Sequence, residues 1–548
     1  MLAKVFPIKL KDGMQAKAEA VVREFAPKGP AVEEGTLSFR VYRDSTQPDY
    51  LLFVEHFADQ AAYDAHTSSA AYRELIAGSS RGLSSSSWRS TTSCWSRTEH
   101  GAMTTYSAVV TTGIYCRPGC GARPRAENVR TFELAAAAEA AGFRACLRCR
   151  PYRIAGELPW DAPELVCRAV QLIIGGALGE GTEADLGRRL GMSSRHLRRL
   201  FHEHLGVTPD QFARSRRAHF ARRMLDDTDL TVADVAFASG FGSLRQFNRT
   251  MREVFRATPQ ALRERRRRAD RLTADGGLGL RLPVEPPYDW DATLAFLAGG
   301  AIPGVEAVDG GTYRRTITLD GGPGLLEIWR GGHDHLLLRA HLPYWEGLIH
   351  VVERVRRMLG LDVDFAATGH LAGDPIVGPL LKERPGLRVP GAWGPFEAGV
   401  AAIARQHHDT AGARELLGRL ARDHGPVVPG LDGGLDRVFP AAEVVASAAG
   451  VPDPVRRFAA AVGAGEIRLD GTDDLAGLVA SLTAIPGIGD AAAHHLAMRL
   501  GERDAFPAGD PALVAALGPD AVAVAQAWRP WRALAATHLL ADELPRPL

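Results

Sequence analysis

Apolar and polar positions alternate in three short runs near the start of the chain, LAKVFPIKL, TLSFRVYRD and YLLFVEHF, each reading as a strand with one buried face. GMQAKAEAVVREFA and DQAAYDAHTSSAAYRELIAG instead repeat their apolar positions with helical period. The order β-α-β-β-α predicts a split βαβ, ferredoxin-like unit over residues 1–80. Periodicity then stops. GSSRGLSSSSWRSTTSCWSRTEHGA is Ser-rich and patternless, which predicts a linker over 81–104 that also holds Cys94. Helical period returns from Trp160, where APELVCRAVQLI places Cys167 in a core-facing pattern. TEADLGRRLGMSSRHLRRLFHEHLG predicts helix, turn at Gly191 and helix, with Ser193 and Ser194 as N-caps. TVADVAFASGFGSLRQFNRTMREVF repeats the design with its turn at Gly240–Gly242. Beyond residue 278, TYRRTITL, GLLEIWRGG and HLLLRAHL read as strands, and helical stretches then run to the end. Within them, Leu482 to Asp510 reads as helix, hairpin at Pro486–Gly489, helix, and an acidic residue twenty-one positions past the last glycine.

The fold class expected is therefore multidomain α+β. A ferredoxin-like unit (1–80) and linker (81–104) precede a small four-cysteine domain (105–154) and an all-α tandem helix-turn-helix (158–268). A small β-containing domain (278–366) and an all-α helix-hairpin-helix domain (367–548) follow.

At 548 residues each part is large enough to bury a core of its own. The net charge of +1 means that any nucleic-acid footprint is local. No apolar run is long enough to span a bilayer, and MLAKVFPIKLKDGMQ lacks a secretory apolar core, so a cytoplasmic location without membrane contact is expected. Five of the six lysines precede residue 30 and the sixth is Lys382; arginine carries the later positive charge.

Four of the six cysteines fall in one stretch, as Cys116-x-x-x-Cys120 and Cys146-x-x-Cys149, separated by 25 residues. Two short-spaced thiol pairs match a tetrahedral Zn2+ site, with a disulfide pairing the weaker reading in a reducing compartment. On spacing alone the site is either purely structural or reactive. The residues around it, TTGIYCRPGCGARP, ENVRTF and AGFRACLRCRP, resemble the metal-binding domain of Ada. That resemblance implies that one zinc-bound thiolate, at the position of Cys116, accepts a methyl group from a DNA phosphotriester. Four thiolates on one divalent ion sum to about −2, and methylating one would ease repulsion from phosphates.

The tandem helical units, with GVTP and RATP after their second helices, resemble AraC-type DNA-binding domains. Such second helices enter the major groove and show their N-terminal side chains to base edges. Here these are Ser194, Arg195, His196 and Arg199 in one unit and Leu244, Arg245, Asn248 and Arg249 in the other. Arginine and asparagine read guanine and adenine bidentately. Arg265–Arg268 reads as a phosphate-facing tail or a solvated end.

PPYDW, RPGLRVPGAWGPFEAGVAAIARQ, LTAIPGIGD and AWRPWRALAATHLL together resemble the AlkA type of 3-methyladenine DNA glycosylase II. The resemblance implies that Gly487 and Gly489 bring hairpin amides to a DNA phosphate and that Asp510 is the catalytic carboxylate. In GDPAL, Asp510 also reads as a helix N-cap with proline at the first helical position. Lyase-active relatives use an amine, and Lys382 lies far from the hairpin, so a monofunctional enzyme is expected. Three aromatic positions of that family fall on Ala491, His495 and Leu540 here. No cysteine follows Cys167, which excludes a second methyl-acceptor thiol like that of the full-length Ada family.

LSFRVYRD, FVEHFADQAAYDAH and YRELI resemble the antibiotic-biosynthesis monooxygenases, which implies dimerisation through the sheet; His66 reads either as a functional residue or as an inert histidine on a helix surface. The combined expectation is an adaptive-response alkylation repair and transcription-regulating protein with Zn2+ as cofactor. Its partners would be promoter and alkylated double-stranded DNA, and RNA polymerase. The alternative is a transcription regulator whose glycosylase-like domain recognises damage without cutting.

Overall fold

The computed structural model describes residues 2–9, 36–43, 50–57, 62, 65, 105–154, 162–179, 181–272, 276–362, 366–431 and 434–541. They belong to two compact units, residues 1–100 and 101–548.

In the first unit, β1 (Leu2–Lys9), β2 (Thr36–Arg43) and β3 (Tyr50–Phe57) form a sheet in the order β1-β3-β2. Both pairings are antiparallel, so β1 and β2 run the same way with β3 between them, the arrangement of a split βαβ. The first expected helix, the linker, His66 and Cys94 lie outside the described residues, and of the second helix only Ala62 and Ala65 are described, both helical.

The second unit opens with β4 (Tyr106–Val109), β5 (Ile114–Cys116), β6 (Val129–Phe132), helix α1 (Ala135–Ala140) and β7 (Arg144–Ala145). Sheet order is β6-β4-β5-β7, with β5 and β7 parallel. Next come α2 (Glu164–Ile174), α3 (Glu183–Arg189), α4 (Ser194–Leu205), α5 (Pro209–Asp227), α6 (Val232–Ala238), α7 (Leu244–Phe255) and α8 (Pro259–Glu264). Reciprocal capping boxes start α3 (Thr182 with Asp185), α5 (Thr208 with Gln211) and α6 (Thr231 with Asp234). The turns at Gly191 and Gly240 need φ values of 70° and 76°, which glycine adopts without a Cβ penalty.

A five-stranded antiparallel sheet follows, built from β8 (Leu278–Pro283), β9 (Glu306–Asp309), β10 (Thr312–Leu319), β11 (Gly322–Arg330) and β12 (His335–His341) in the order β8-β12-β11-β10-β9. Leu280, Leu338, Ile328 and Tyr313 stand side by side across four strands and are all buried. Helix α9 (Trp290–Gly300) joins β8 to β9 in sequence, and α10 (Leu348–Met358) follows β12. The remainder is helical, with α11 (Pro395–His407), α12 (Thr410–His424), α13 (Asp453–Gly463), α14 (Leu475–Thr483), α15 (Asp490–Leu500), α16 (Pro511–Leu517) and α17 (Arg532–Leu540) joined by shorter helical turns. Strands β8 and β9 were absent from the sequence reading: β8 ends in proline, and β9 is four residues with two acidic ends.

One hydrophobic core runs without a break through the cysteine-bearing sheet (Tyr115, Ala145), the second helix-turn-helix (Phe241, Phe247, Met251), the five-stranded sheet and α10. The first helix-turn-helix and the C-terminal bundle have cores of their own. Among the described residues no helix is long and apolar enough to cross a membrane.

Candidate functional site

The four-cysteine cluster is assembled by strand pairing. Cys116 ends β5 and Cys146 directly follows β7, and the parallel pairing of these strands, continued by the bond from the Cys146 N–H to the Tyr115 carbonyl (2.9 Å), sets the two side by side. A tight turn, in which the Cys120 N–H donates to the Arg117 carbonyl (3.3 Å), brings Cys120 back. The bond from the Arg150 N–H to the Cys146 carbonyl (3.0 Å) closes the turn carrying Cys149. All four Sγ atoms lie within 4.8 Å of one another. A tetrahedron with Zn–S bonds of about 2.3 Å has edges of about 3.8 Å, so the sulfurs fit zinc with little adjustment. The donor set is also right, since four soft thiolates favour zinc over hard cations. The hydrogen bond from Cys116, against the opposing effect of burial, holds Cys149 down to about 5, and the same bond with burial pushes Cys116 up. Cys116 is the buried member of the set.

The strand bearing Cys116 is anchored to α5. Tyr115 donates to Glu139 (2.7 Å), and His219 of α5 meets the same carboxylate at 2.6 Å. Arg150 takes a left-handed conformation (φ 51°) beyond the last cysteine and clasps Asp270 with two bonds of 2.8 and 2.7 Å. Cys167 is buried in α2, its thiol directed to the Ala162 carbonyl, away from the metal-type cluster.

The two second helices of the tandem unit begin alike. Ser193 caps α4 by accepting from the His196 N–H (3.3 Å), and Ser243 caps α7 by accepting from the Gln246 N–H (3.2 Å). Ser194 is thus the first helical residue and not a cap, contrary to the sequence reading. Arg195, Arg199, Leu244, Arg245 and Arg249 are exposed on these first turns. Some are engaged locally: Arg199 meets His196 Nδ1 (3.0 Å), Asn248 donates to the Leu244 carbonyl of its own helix (2.8 Å), and Arg249 approaches Glu253 (3.9 Å).

In the C-terminal bundle, Asp510 is the N-cap of α16, accepting from the Ala512 N–H (2.9 Å) through Oδ1. Its other oxygen meets His495 Nε2 of α15 at 2.7 Å. Burial would raise this carboxyl, but the His495 bond and charge and the amides of Ala512 and Leu513 outweigh it, holding Asp510 below the usual carboxylate range. The hairpin between α14 and α15 needs Gly487 twice over: its φ is 94°, and a Cβ there would lie 2.6 Å from Pro454. Gln406 at the end of α11 bridges the hairpin, accepting from the Gly489 N–H (2.8 Å) and donating to the Gly487 carbonyl (3.1 Å). The Gly489 amide, expected from sequence to face DNA, is therefore engaged within the protein. The pairing of His495 with Asp510, the brace from Gln406 and the charge of Arg405 near Asp510 are not legible in the sequence. Ala491 stands beside Gly509, 3.6 Å from where a Cβ there would sit.

Family models match at residues 1–78 (antibiotic biosynthesis monooxygenase), 92–152 (metal-binding domain of Ada), 186–265 (helix-turn-helix domain) and 279–394 (AlkA N-terminal domain). A Mycobacterium tuberculosis protein named "Probable bifunctional transcriptional activator/DNA repair enzyme AlkA" is 38% identical over 454 residues, spanning 79% of this chain and 91% of that one. The DNA-3-methyladenine glycosylase 2 of Escherichia coli is 28% identical over 279 residues, covering 46% of this chain and 94% of its own length. The bifunctional transcriptional activator/DNA repair enzyme Ada of Escherichia coli is 35% identical over 158 residues, 28% of this chain and 43% of the relative.

Proposed function

The chain belongs to the family of bifunctional transcriptional activator/DNA repair enzymes of the AlkA type, and from that premise we propose that it is a monofunctional DNA-3-methyladenine glycosylase II joined to a methyl-accepting, promoter-binding regulator. Its substrate and partner is double-stranded DNA. Asp510 acts as the catalytic carboxylate: held ionised by His495, it faces the positive charge that develops on the sugar as an alkylated base leaves C1′, and it orients the water that replaces the base. An alkylated purine departs as a neutral molecule, so one carboxylate suffices. The glycine hairpin at Gly487 and Gly489, braced by Gln406, presents the start of α15 to a phosphate. The helices α4 and α7 present Arg195, Arg199, Arg245 and Arg249 to the major groove.

Zinc held by Cys116, Cys120, Cys146 and Cys149 would keep the thiols deprotonated at neutral pH, which is the form a nucleophile needs. Cys116 is the methyl acceptor in this reading: its sulfur attacks the methyl carbon of a phosphotriester, the C–O bond breaks, and the phosphate leaves as a diester anion. The anchoring of β5 through Tyr115 to Glu139 holds that sulfur in place.

The observation that supports the reading most is the Asp510 carboxylate, capped and paired beside a glycine hairpin. The test is single-turnover excision from duplex carrying one alkylated purine. The native chain is expected to release base, and Asp510→Asn to release at least 100-fold more slowly. No release by either would favour a damage-binding regulator. Transfer of labelled methyl to the protein, lost in Cys116→Ala, tests the second activity, and label on another cysteine would move the acceptor.

A further inference from the structure

Beside the cysteine-bearing sheet, whose Tyr106 lines it, lies a chamber of about 90 Å3 where three modules meet. One wall is a face of α5, on which Phe212, Arg216, His219 and Arg223 recur at intervals of four, three and four residues with Ser215 beside them. Leu134 and Tyr152 of the metal-binding domain stand in the second wall, Glu353 and Arg356 of α10 in the third. Two of the three guanidiniums here are matched by carboxylates: Arg216 pairs with Glu353 (2.7 Å) and Arg356 with Asp362 (2.6 Å). His219 is held by Glu139 (2.6 Å). Arg223 is matched by none. Among the described residues it forms no hydrogen bond or ion pair, and its guanidinium rests 5.7 Å over the Phe220 ring. Glu353 and Asp227 attract it through space, but both are engaged by other arginines, Asp227 by Arg153 (2.7 Å). Burial, then the charge of Arg356, push Arg223 down to about 10, which leaves it cationic at neutral pH. Ser215, buried on the same helix, makes no hydrogen bond through its hydroxyl among the described residues.

A guanidinium held away from bulk water is costly unless a counter-charge reaches it. The protein supplies that charge for Arg216 and Arg356 and not for Arg223. A fitting ligand therefore brings negative charge, with acceptor oxygens spaced to meet a planar fork of donors. Its size is bounded as well. At roughly 30 Å3 per water the chamber has room for about three water molecules, enough for a small tetrahedral oxyanion and too little for a nucleotide. A phosphate of the DNA backbone arrives with a sugar on either side and is too bulky for it.

We propose that this chamber is a binding site for a small free oxyanion of the phosphate class, held by the Arg223 guanidinium and the Ser215 hydroxyl. Arg216 and Arg356 add attraction from the walls, and Glu353 opposes it. Because donors on α5 and the charge of Arg356 on α10 act on one ligand, its binding draws the long helix of the DNA-binding region toward the sheet domain that precedes the C-terminal bundle. Neither methyl transfer nor base excision requires this site.

The experiment titrates the zinc-loaded full chain with inorganic phosphate, using chloride at matched pH and ionic strength as the reference. Calorimetry is expected to show saturable phosphate binding, and the melting temperature should be higher in phosphate than in chloride. Arg223→Met should weaken that binding by about tenfold or more and remove the phosphate-dependent rise in melting temperature. Arg223→Lys, which keeps the charge without the fork, should lose less. In chloride Arg223→Met should melt no lower than the native chain, because the substitution removes an unmatched cation. A native chain that responds to phosphate no more than to chloride would overturn the proposal. So would an undiminished phosphate response in Arg223→Met, which would place the anion on the DNA-binding arginines. An Arg223→Met chain that melts below the native one by the same interval in both salts would show that the side chain acts through packing, and would overturn it too.

Discussion

Asp510 does two jobs with two oxygens. Oδ1 caps α16 and fixes the carboxyl, and Oδ2 meets His495. If His495 is what offsets burial at this carboxyl, removing its hydrogen bond leaves burial as the largest remaining influence. In His495→Leu the acid limb of excision, where Asp510 takes up a proton, should move to higher pH. In His495→Gln, which retains a donor, it should move less. A pH–rate profile that is the same for all three proteins would mean that His495 does not tune Asp510. The aspartate itself was legible, because its distance from a glycine hairpin and the following proline are features of local sequence. Its partner was not. His495 reads in sequence as the loss of an aromatic ring, and its contact with Asp510 exists only because the connection after α15, which turns at Gly501 and is tied back by the Phe506 N–H to His494, returns the start of α16 beside that helix.

At the scale of helices and strands, the tandem unit was readable almost in full, because serine, threonine and glycine mark each helix boundary with a specific physical role. Thr182, Thr208 and Thr231 start helices through their hydroxyls, and Gly191 and Gly240 end them with positive φ. The boundary at Ser193 and Ser194 was blurred because both residues are good caps, and only the geometry distinguishes Ser193. Strands β8 and β9 were missed because pairing to β12 and β10 makes them strands, which no local pattern reports. For DNA reading, Arg195 and Arg245 are exposed at the starts of α4 and α7. Alanine at either should cost about 1–3 kcal/mol of specific binding while leaving non-specific binding to other duplexes nearly unchanged. Asn248→Ala should cost less, since its amide is already engaged by the Leu244 carbonyl. Affinities for a selected site and for random duplex, at matched salt, distinguish these outcomes.

At the centre of the second unit several modules share one apolar core. Helix α5 and the second helix-turn-helix both dock on α10: the N–H of its cap Gly347 donates to the Phe237 carbonyl (3.1 Å), and Arg216 of α5 pairs with Glu353 (2.7 Å). With one core running from the cysteine-bearing sheet to the five-stranded sheet, loss of metal should be felt far from the cysteines. About one zinc per chain is expected. Cys146→Ser should abolish it and lower the melting temperature of the sheet domain as well, read through the fluorescence of Trp290 and Trp329. A shift confined to the cysteine-bearing domain would mean that the shared core does not couple them.

An ionic knot ties the same modules together, and its pH dependence can be worked out. Arg150 and Arg153, just past the last cysteine, reach Asp270 and the end of α5 at Asp226 and Asp227, and Arg281 of β8 joins at Asp227 (3.1 Å). Burial alone would raise Asp270, but the hydrogen bonds from Arg150 and the Arg267 amide overcome it and hold this carboxyl at about 2. Its folded value lies below its ordinary 3.8, so the knot contributes stability above that ordinary value and loses it as the pH falls toward 2. The depression corresponds to at most about 2.5 kcal/mol, and contact with solvent at the rim reduces this to about 1 kcal/mol. Asp270→Asn should therefore be less stable than the native chain by about 1 kcal/mol at neutral pH, with the gap closing between about pH 4 and pH 2. Paired denaturant melts across that range measure it. A gap that stays constant as the carboxyl titrates would show that Asp270 contributes through shape and not through charge, leaving the shared apolar core as what joins the metal-binding end to the rest of the unit.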